Sequence, residues 1–182
     1  MIWLWGQGQR PKMQKFSDLF GISGAVVASQ EYAKGVARLA GLTVLESGTQ
    51  WGEETDYEKI GKLFLEAISE KDFVCVHVKD CEEAARVGDL KAKISALEAA
   101  DFFVLSRVKE ALDRIKDIRV LVTPCHATPW MMRRHVRDSV PFVVTGKNIM
   151  ADDIERFSEA AAKVSELKIN KSTDLMPLLV AK

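Results

Sequence analysis

The sequence has no long apolar run, no excess of either charge and no even set of cysteines, and each absence narrows what the chain can be. Its longest apolar runs are short and interrupted, so no transmembrane helix is expected. Twenty-six basic residues offset 26 acidic ones, and nothing points to nucleic acid or to an anionic membrane as a partner. The three cysteines are odd in number and not closely paired. That usage fits a reducing compartment, and a cytoplasmic location is expected. The N-terminal Ile2-Trp3-Leu4-Trp5 is apolar but carries no basic leader and no cleavage site, so it reads as a strand rather than a signal peptide. Gly6-Gln7-Gly8 has neither the spacing nor the Lys-Ser/Thr pair of a Walker A loop. Repeats and low-complexity segments are absent as well.

What remains is an ordinary globular composition. The chain has 182 residues, 47% of them hydrophobic, which suits one domain with a sizeable core. Short β-rich runs alternate with longer amphipathic ones, the pattern of an α/β fold. Strands are expected over 2–6, 24–29, 42–46, 73–78, 118–123 and 142–145. Helices are expected over 13–20, 31–40, 57–70, 89–115, 152–167 and 173–180, with 79–88 as a loop. Phe73 to Val78 is almost continuously apolar, as a central strand covered on both faces would be. Gly41 suits the position just past a helix end, and Asp89 suits an N-cap. Leu90, Ile94, Leu97, Phe102, Leu105 and Leu112 are the apolar positions of the long helix that Asp89 opens. Trp3, Trp5 and Trp51 read as packing residues.

The residues that can carry chemistry gather after two strands. Val122-Thr123-Pro124-Cys125-His126-Ala127-Thr128-Pro129 follows the β-branched run that begins at Ile118, so His126 sits where a strand gives way to a loop. Open α/β sheets bind their ligands at that edge. His135 follows nine residues later, and a loop between two histidines can return both to one metal. Cys125 offers a soft ligand, a nucleophile or a small buried thiol, with the buried thiol as the default. The run Lys79-Asp80-Cys81-Glu82-Glu83 places acids after a buried strand, where a metal or a general acid would sit; a solvated turn before a helix cap accounts for it better on these residues alone. Lys34 either reaches a phosphate at the sheet edge or is a solvated lysine.

A longer set of motifs recurs in one order. It comprises Trp3-Leu4-Trp5-Gly6-Gln7-Gly8, Gly24-Ala25-Val26-Val27, Lys34-Gly35, Thr55-Asp56-Tyr57, Asp72-Phe73-Val74, His77-Val78, Glu82-Glu83-Ala84, Gly88-Asp89, His126-Ala127-Thr128-Pro129, His135 and Val140-Pro141-Phe142. This set resembles the archaeal-type, cofactor-independent phosphoglycerate mutases of the alkaline phosphatase superfamily. The resemblance spans nearly the whole chain. It implies an alkaline-phosphatase-like three-layer αβα sandwich, with residues 1–182 as a single domain matching the C-terminal part of such an enzyme, and manganese or zinc as the metal.

Carried over by residue, the resemblance places Glu82 where the family has a metal-binding Asp, and Cys125 where it has a second. His126 and His135 are kept, and Lys34 matches an active-site lysine. Arg86 stands where the family has a metal-binding His. A guanidinium stays protonated and cannot ligate a metal, so Arg86 is expected to mimic one, by pairing with Glu82 or by binding an anion such as phosphate. The family's serine nucleophile and substrate-gripping arginines lie in segments with no counterpart in this sequence. The expectation is a truncated, catalytically impaired relative of the mutases. One alternative is an active phosphotransferase completed by a separate N-terminal chain. Another is a zinc-binding structural module built from Cys81, Cys125, His126 and His135. Strands that are paired in the whole family fold would here show open edges, which implies a homodimer or a partner chain, with a phosphate or phosphoester as ligand.

Overall fold

The computed structural model describes residues 8–48 and 54–180; the strand expected over 2–6 and the three tryptophans expected to pack lie outside them. In chain order the elements are α1 (Phe16–Phe20), β1 (Gly24–Ala28), α2 (Glu31–Leu39), β2 (Thr43–Glu46), α3 (Tyr57–Glu70), β3 (Phe73–His77), α4 (Asp80–Val87) and α5 (Leu90–Ala99). A π-helical turn over Ala100–Leu105 leads into α6 (Ser106–Arg114). Then come β4 (Arg119–Val122), β5 (Val143–Gly146), α7 (Glu159–Val164), a 3-10 turn (Ser172–Asp174) and α8 (Leu175–Val180).

The first three strands form a parallel sheet in the order β2-β1-β3, with Val26 opposite both Val44 and Cys75. Side chains alternate across a strand, and β1 shows it. Val26 and Ala28 pack with Ala37 of α2 on one face. Val27 packs with Ile60 of α3 and Val104 of the π turn on the other. Helices therefore cover both faces, which is the layered α/β arrangement expected. α3 buries Ile60, Phe64 and Ala67, one helical face at the 3.6-residue period. Its N-cap is Asp56, whose carboxylate accepts from the Lys59 amide at 2.9 Å. α2 closes as expected, with Gly41 at φ +74°, its amide bonded to Arg38 O and the Leu42 amide to Ala37 O.

Four expectations need correction. β3 is not central among the described residues: it pairs with β1 on one side only and is half-buried throughout. The segment 79–88 is not a loop, because Asp80 to Val87 forms α4. The long helix expected over 89–115 is not one regular α-helix, because the π turn over Ala100–Leu105 divides it into α5 and α6. Leu90, Ile94, Leu97 and Phe102 are exposed, while Val104, within the π turn, is the residue that reaches the core. The helix expected over 152–167 shrinks to α7. Ahead of it the Asp152 carboxylate accepts from the Ile154 amide, a local bond that competes with helix formation.

β4 and β5 form a separate antiparallel pair, with Val120 opposite Thr145. No helix among the described residues is long and apolar enough to cross a membrane.

Candidate metal centre

Two chain segments build the centre, one after β3 and one after β4. α4 begins at Asp80, whose carboxylate accepts from Thr55 Oγ1 and Tyr57 Oη, both at 2.8 Å. Burial raises the Tyr57 phenol above its ordinary range, and the bond to Asp80 and its charge add to the shift. The helix sets acids in its first turn and Arg86 in its last, the order that the helix dipole favours. It stops at Gly88, which has φ +81°, a conformation that costs glycine little. The Gly88 amide bonds to Ala85 O and the Asp89 amide to Ala84 O. Asp89 then caps α5, its carboxylate accepting from the Ala92 amide at 2.8 Å. Glu82 is thus held on a short helix fixed at both ends.

The histidines come from the second segment. An isolated antiparallel bridge joins Ala127 to Val136, which makes His126 and His135 diagonal neighbours on one face of a closed loop. Lys93 of α5 donates to Thr128 O at 3.0 Å and ties that loop to the helix pair. The imidazole rings lie with centroids 3.7 Å apart and planes tilted by 41°.

The donor atoms converge. His135 Nε2 lies 2.7 Å from Glu82 Oε1 and 3.0 Å from His126 Nε2. His126 Nε2 lies 3.7 Å from Glu82 Oε2. These three residues are the one group of potential metal ligands found among the described residues, with all donor atoms within 4.8 Å. The donor set fits a divalent ion on two counts. Two imidazoles and a carboxylate are a standard set for zinc and related metals, and atoms about 2.1 Å from one ion lie about 3.0 to 3.4 Å from each other, a span that the distances of 2.7, 3.0 and 3.7 Å bracket. Hydrogen bonding alone serves the cluster poorly. A hydrogen on His135 Nε2 satisfies Glu82, and that nitrogen then has no lone pair for His126. Burial pushes the Glu82 carboxyl up, but the His135 bond and the charges of His135, His126 and Arg86 outweigh it and hold the group below the usual range.

The other expected residues fall as follows. Arg86 Nη1 lies 3.6 Å from Glu82 Oε1, one turn along α4. Lys34 is not a solvated lysine: it is 7% exposed, with Nζ 2.5 Å from Glu31 and 3.9 Å from Glu46. Cys125 is exposed rather than buried, and neither it nor Cys81 belongs to the converging group. The two-Cys, two-His zinc set is therefore not what the fold assembles. Sequence reasoning passed over His77, the last residue of β3. Its Nδ1 is buried without a hydrogen-bond partner. Burial lowers its pKa, against the charge of Glu82 and together with that of His126, so all three histidines of the chain serve one neighbourhood. Its place at the carboxyl end of a strand was the available signal.

The thiols give a direct check on this placement. Burial raises Cys75, helped by Cys125, and burial with Asp80 raises Cys81. Reactivity follows thiolate character and access. Limited iodoacetamide treatment of the native protein is expected to label Cys125 first, as read by peptide mass spectrometry. Earlier labelling of Cys75 would contradict the fold around β3.

With this geometry in place, the whole chain, residues 1–182, matches the metalloenzyme superfamily. The chain belongs to that superfamily. Its relatives carry names that agree with the motifs. A 2,3-bisphosphoglycerate-independent phosphoglycerate mutase 2 from Methanothermobacter thermautotrophicus is 38% identical over 99% of this chain and 45% of its own length. A 2,3-bisphosphoglycerate-independent phosphoglycerate mutase from Methanothrix thermoacetophila is 36% identical over all of this chain and 47% of its own. Among solved structures, the PH0037 protein from Pyrococcus horikoshii superposes with a TM-score of 0.82 at 28% identity, over 91% of this chain and 50% of that one. The cofactor-independent phosphoglycerate mutase from Thermoplasma acidophilum superposes with a TM-score of 0.69 at 22% identity, which speaks for the fold. This metalloenzyme-superfamily chain spans about half the length of the relatives it matches.

Proposed function

We propose that this chain is the metal-binding part of a phosphoglycerate-mutase-related protein, that it holds manganese or zinc with Glu82, His126 and His135, and that it does not run the mutase reaction by itself. The convergence of those three donors carries the reading. A bound divalent ion would supply Lewis acidity toward a phosphoryl oxygen. The chain's own part is to bind and orient. Glu82 is aimed by α4 and the histidines by the bridge between Ala127 and Val136. Lys34 keeps a buried ammonium just after β1, suited to a phosphate contact. Catalytic impairment is supported by Arg86 and Cys125, which stand where the resembled family has metal ligands. Three free thiols support a cytoplasmic setting.

The same reading includes a second polypeptide. β3 has the sequence of a strand covered on both faces, yet among the described residues its edge away from β1 carries no strand, and β4 pairs with β5 alone among the described strands. Both strands lead into the metal cluster. Strands with open edges associate, and a partner chain or a second copy would complete the sheet.

Metal content of freshly purified protein, taken before any chelator, is the first test. Manganese or zinc in stoichiometric amount is expected, and its absence after loading with either ion would refute the metal assignment. NMR of 3-phosphoglycerate incubated with the manganese-loaded chain is expected to show no 2-phosphoglycerate. Turnover would overturn the impaired reading. Light scattering that found a plain monomer would count against the partner.

A further inference from the structure

We infer that the cluster is a one-ion site with an open position, and that Arg86 supplies the second positive charge, so that an oxyanion of the phosphate type binds between the ion and the guanidinium. This rests on the metal reading above and adds to it a stoichiometry and a ligand.

The donor count sets the stoichiometry. Two-ion sites place their metals about 3.5–4 Å apart and need donors for each. Here the two imidazole nitrogens are themselves only 3.0 Å apart, both facing one carboxylate, and the described residues contain no other such group. One ion uses all three donors. Three protein ligands leave a coordination position free, the pattern of reactive rather than structural sites. The site is also open: the His135 side chain is 47% exposed.

The charges set the ligand. A single carboxylate neutralises only part of a divalent ion. Arg86 stands on the same helix as Glu82, its guanidinium 3.6 Å from the oxygen that already meets His135 at 2.7 Å. The contact is long, and the Arg86 side chain is 61% exposed. Once Glu82 serves an ion, the guanidinium 3.6 Å from its Oε1 loses its counter-charge while remaining beside the ligand. Its planar fork suits two oxygens of a phosphate. Ion and guanidinium together make a two-sided clamp for one anion.

Cobalt(II) provides a visible reporter. Cobalt-loaded protein is expected to hold one ion per chain by elemental analysis, and titration with inorganic phosphate is expected to change its visible spectrum saturably, with acetate and sulfate as controls. Arg86→Gln is expected to keep the cobalt and weaken phosphate by about tenfold or more, with unchanged far-UV circular dichroism. Two cobalt ions per chain would overturn the stoichiometry. An identical phosphate titration in Arg86→Gln, or no spectral response in the parent protein, would overturn the clamp while leaving the metal assignment standing. Failure to take up cobalt at all would overturn the metal assignment itself.

Discussion

Glu82→Ala is expected to reduce manganese or zinc affinity by at least about 100-fold, since loss of groups that merely support a ligand already costs about 10- to 100-fold. Glu82 is the one carboxylate in the cluster and faces both histidines. Without it the site keeps two imidazoles and no anionic donor. The fold should survive, because α4 is fixed by Asp80 at its start and by Gly88 and Asp89 at its end, not by Glu82. Isothermal titration with each ion makes the comparison. Glu83→Ala is the control: its carboxylate pairs with Lys79 at 2.9 Å, away from the cluster, and its metal affinity should match the parent. Equal affinity in Glu82→Ala would remove the carboxylate from the site.

Ile60→Ala should cost about 2–5 kcal/mol, the range for a large-to-small change in a packed core. Ile60 is 1% exposed and bridges Val27 of β1 to Val104 of the π turn. The lost methyl and methylene groups leave a void in that packing, and a domain has only about 5–15 kcal/mol in all. For a chain of this size each kcal/mol moves the melting temperature by about 2–4 °C, so a fall of roughly 4–20 °C is expected by thermal denaturation. Ile60→Val should lose about 1 kcal/mol. A melting temperature unchanged by the alanine substitution would mean that α3 and the π turn are not packed against β1 there.

The sequence made some of this structure legible because a local rule and the tertiary environment agreed. β1, α2 and α3 are such cases: the apolar period and Gly41 point the same way as the packing. α4 was obscured because its acids and its Lys79 read as solvated turn chemistry, and the bonds that commit Asp80 to a helix come from Thr55 and Tyr57, more than 20 residues away. β3 misled in the opposite sense. Its apolar run reads as a strand covered on both faces, but among the described residues it is half-buried and pairs with β1 alone; an apolar run fixes the strand and not its place in the sheet. At the site, the two histidines and Glu82 were recognisable from their motifs. Their convergence on a common point was not, because it depends on the bridge between Ala127 and Val136 and on the reach of α4. His77 was missed because a histidine inside an apolar strand passes as packing.

The contact between Arg133 and Gly88 has a genetic consequence. The guanidinium lies so close over the glycine that an added Cβ would overlap Arg133 Nε. Arg133 belongs to the loop that delivers His135, and Gly88 ends the helix that delivers Glu82. The Arg133 side chain thus reaches from one segment to the end of the other at a point that contains no metal ligand. A random-mutagenesis screen scored for lost ion uptake should return substitutions at residue 88 beside those at the ligands, since even alanine there would strain the positive φ at the end of the helix that carries Glu82.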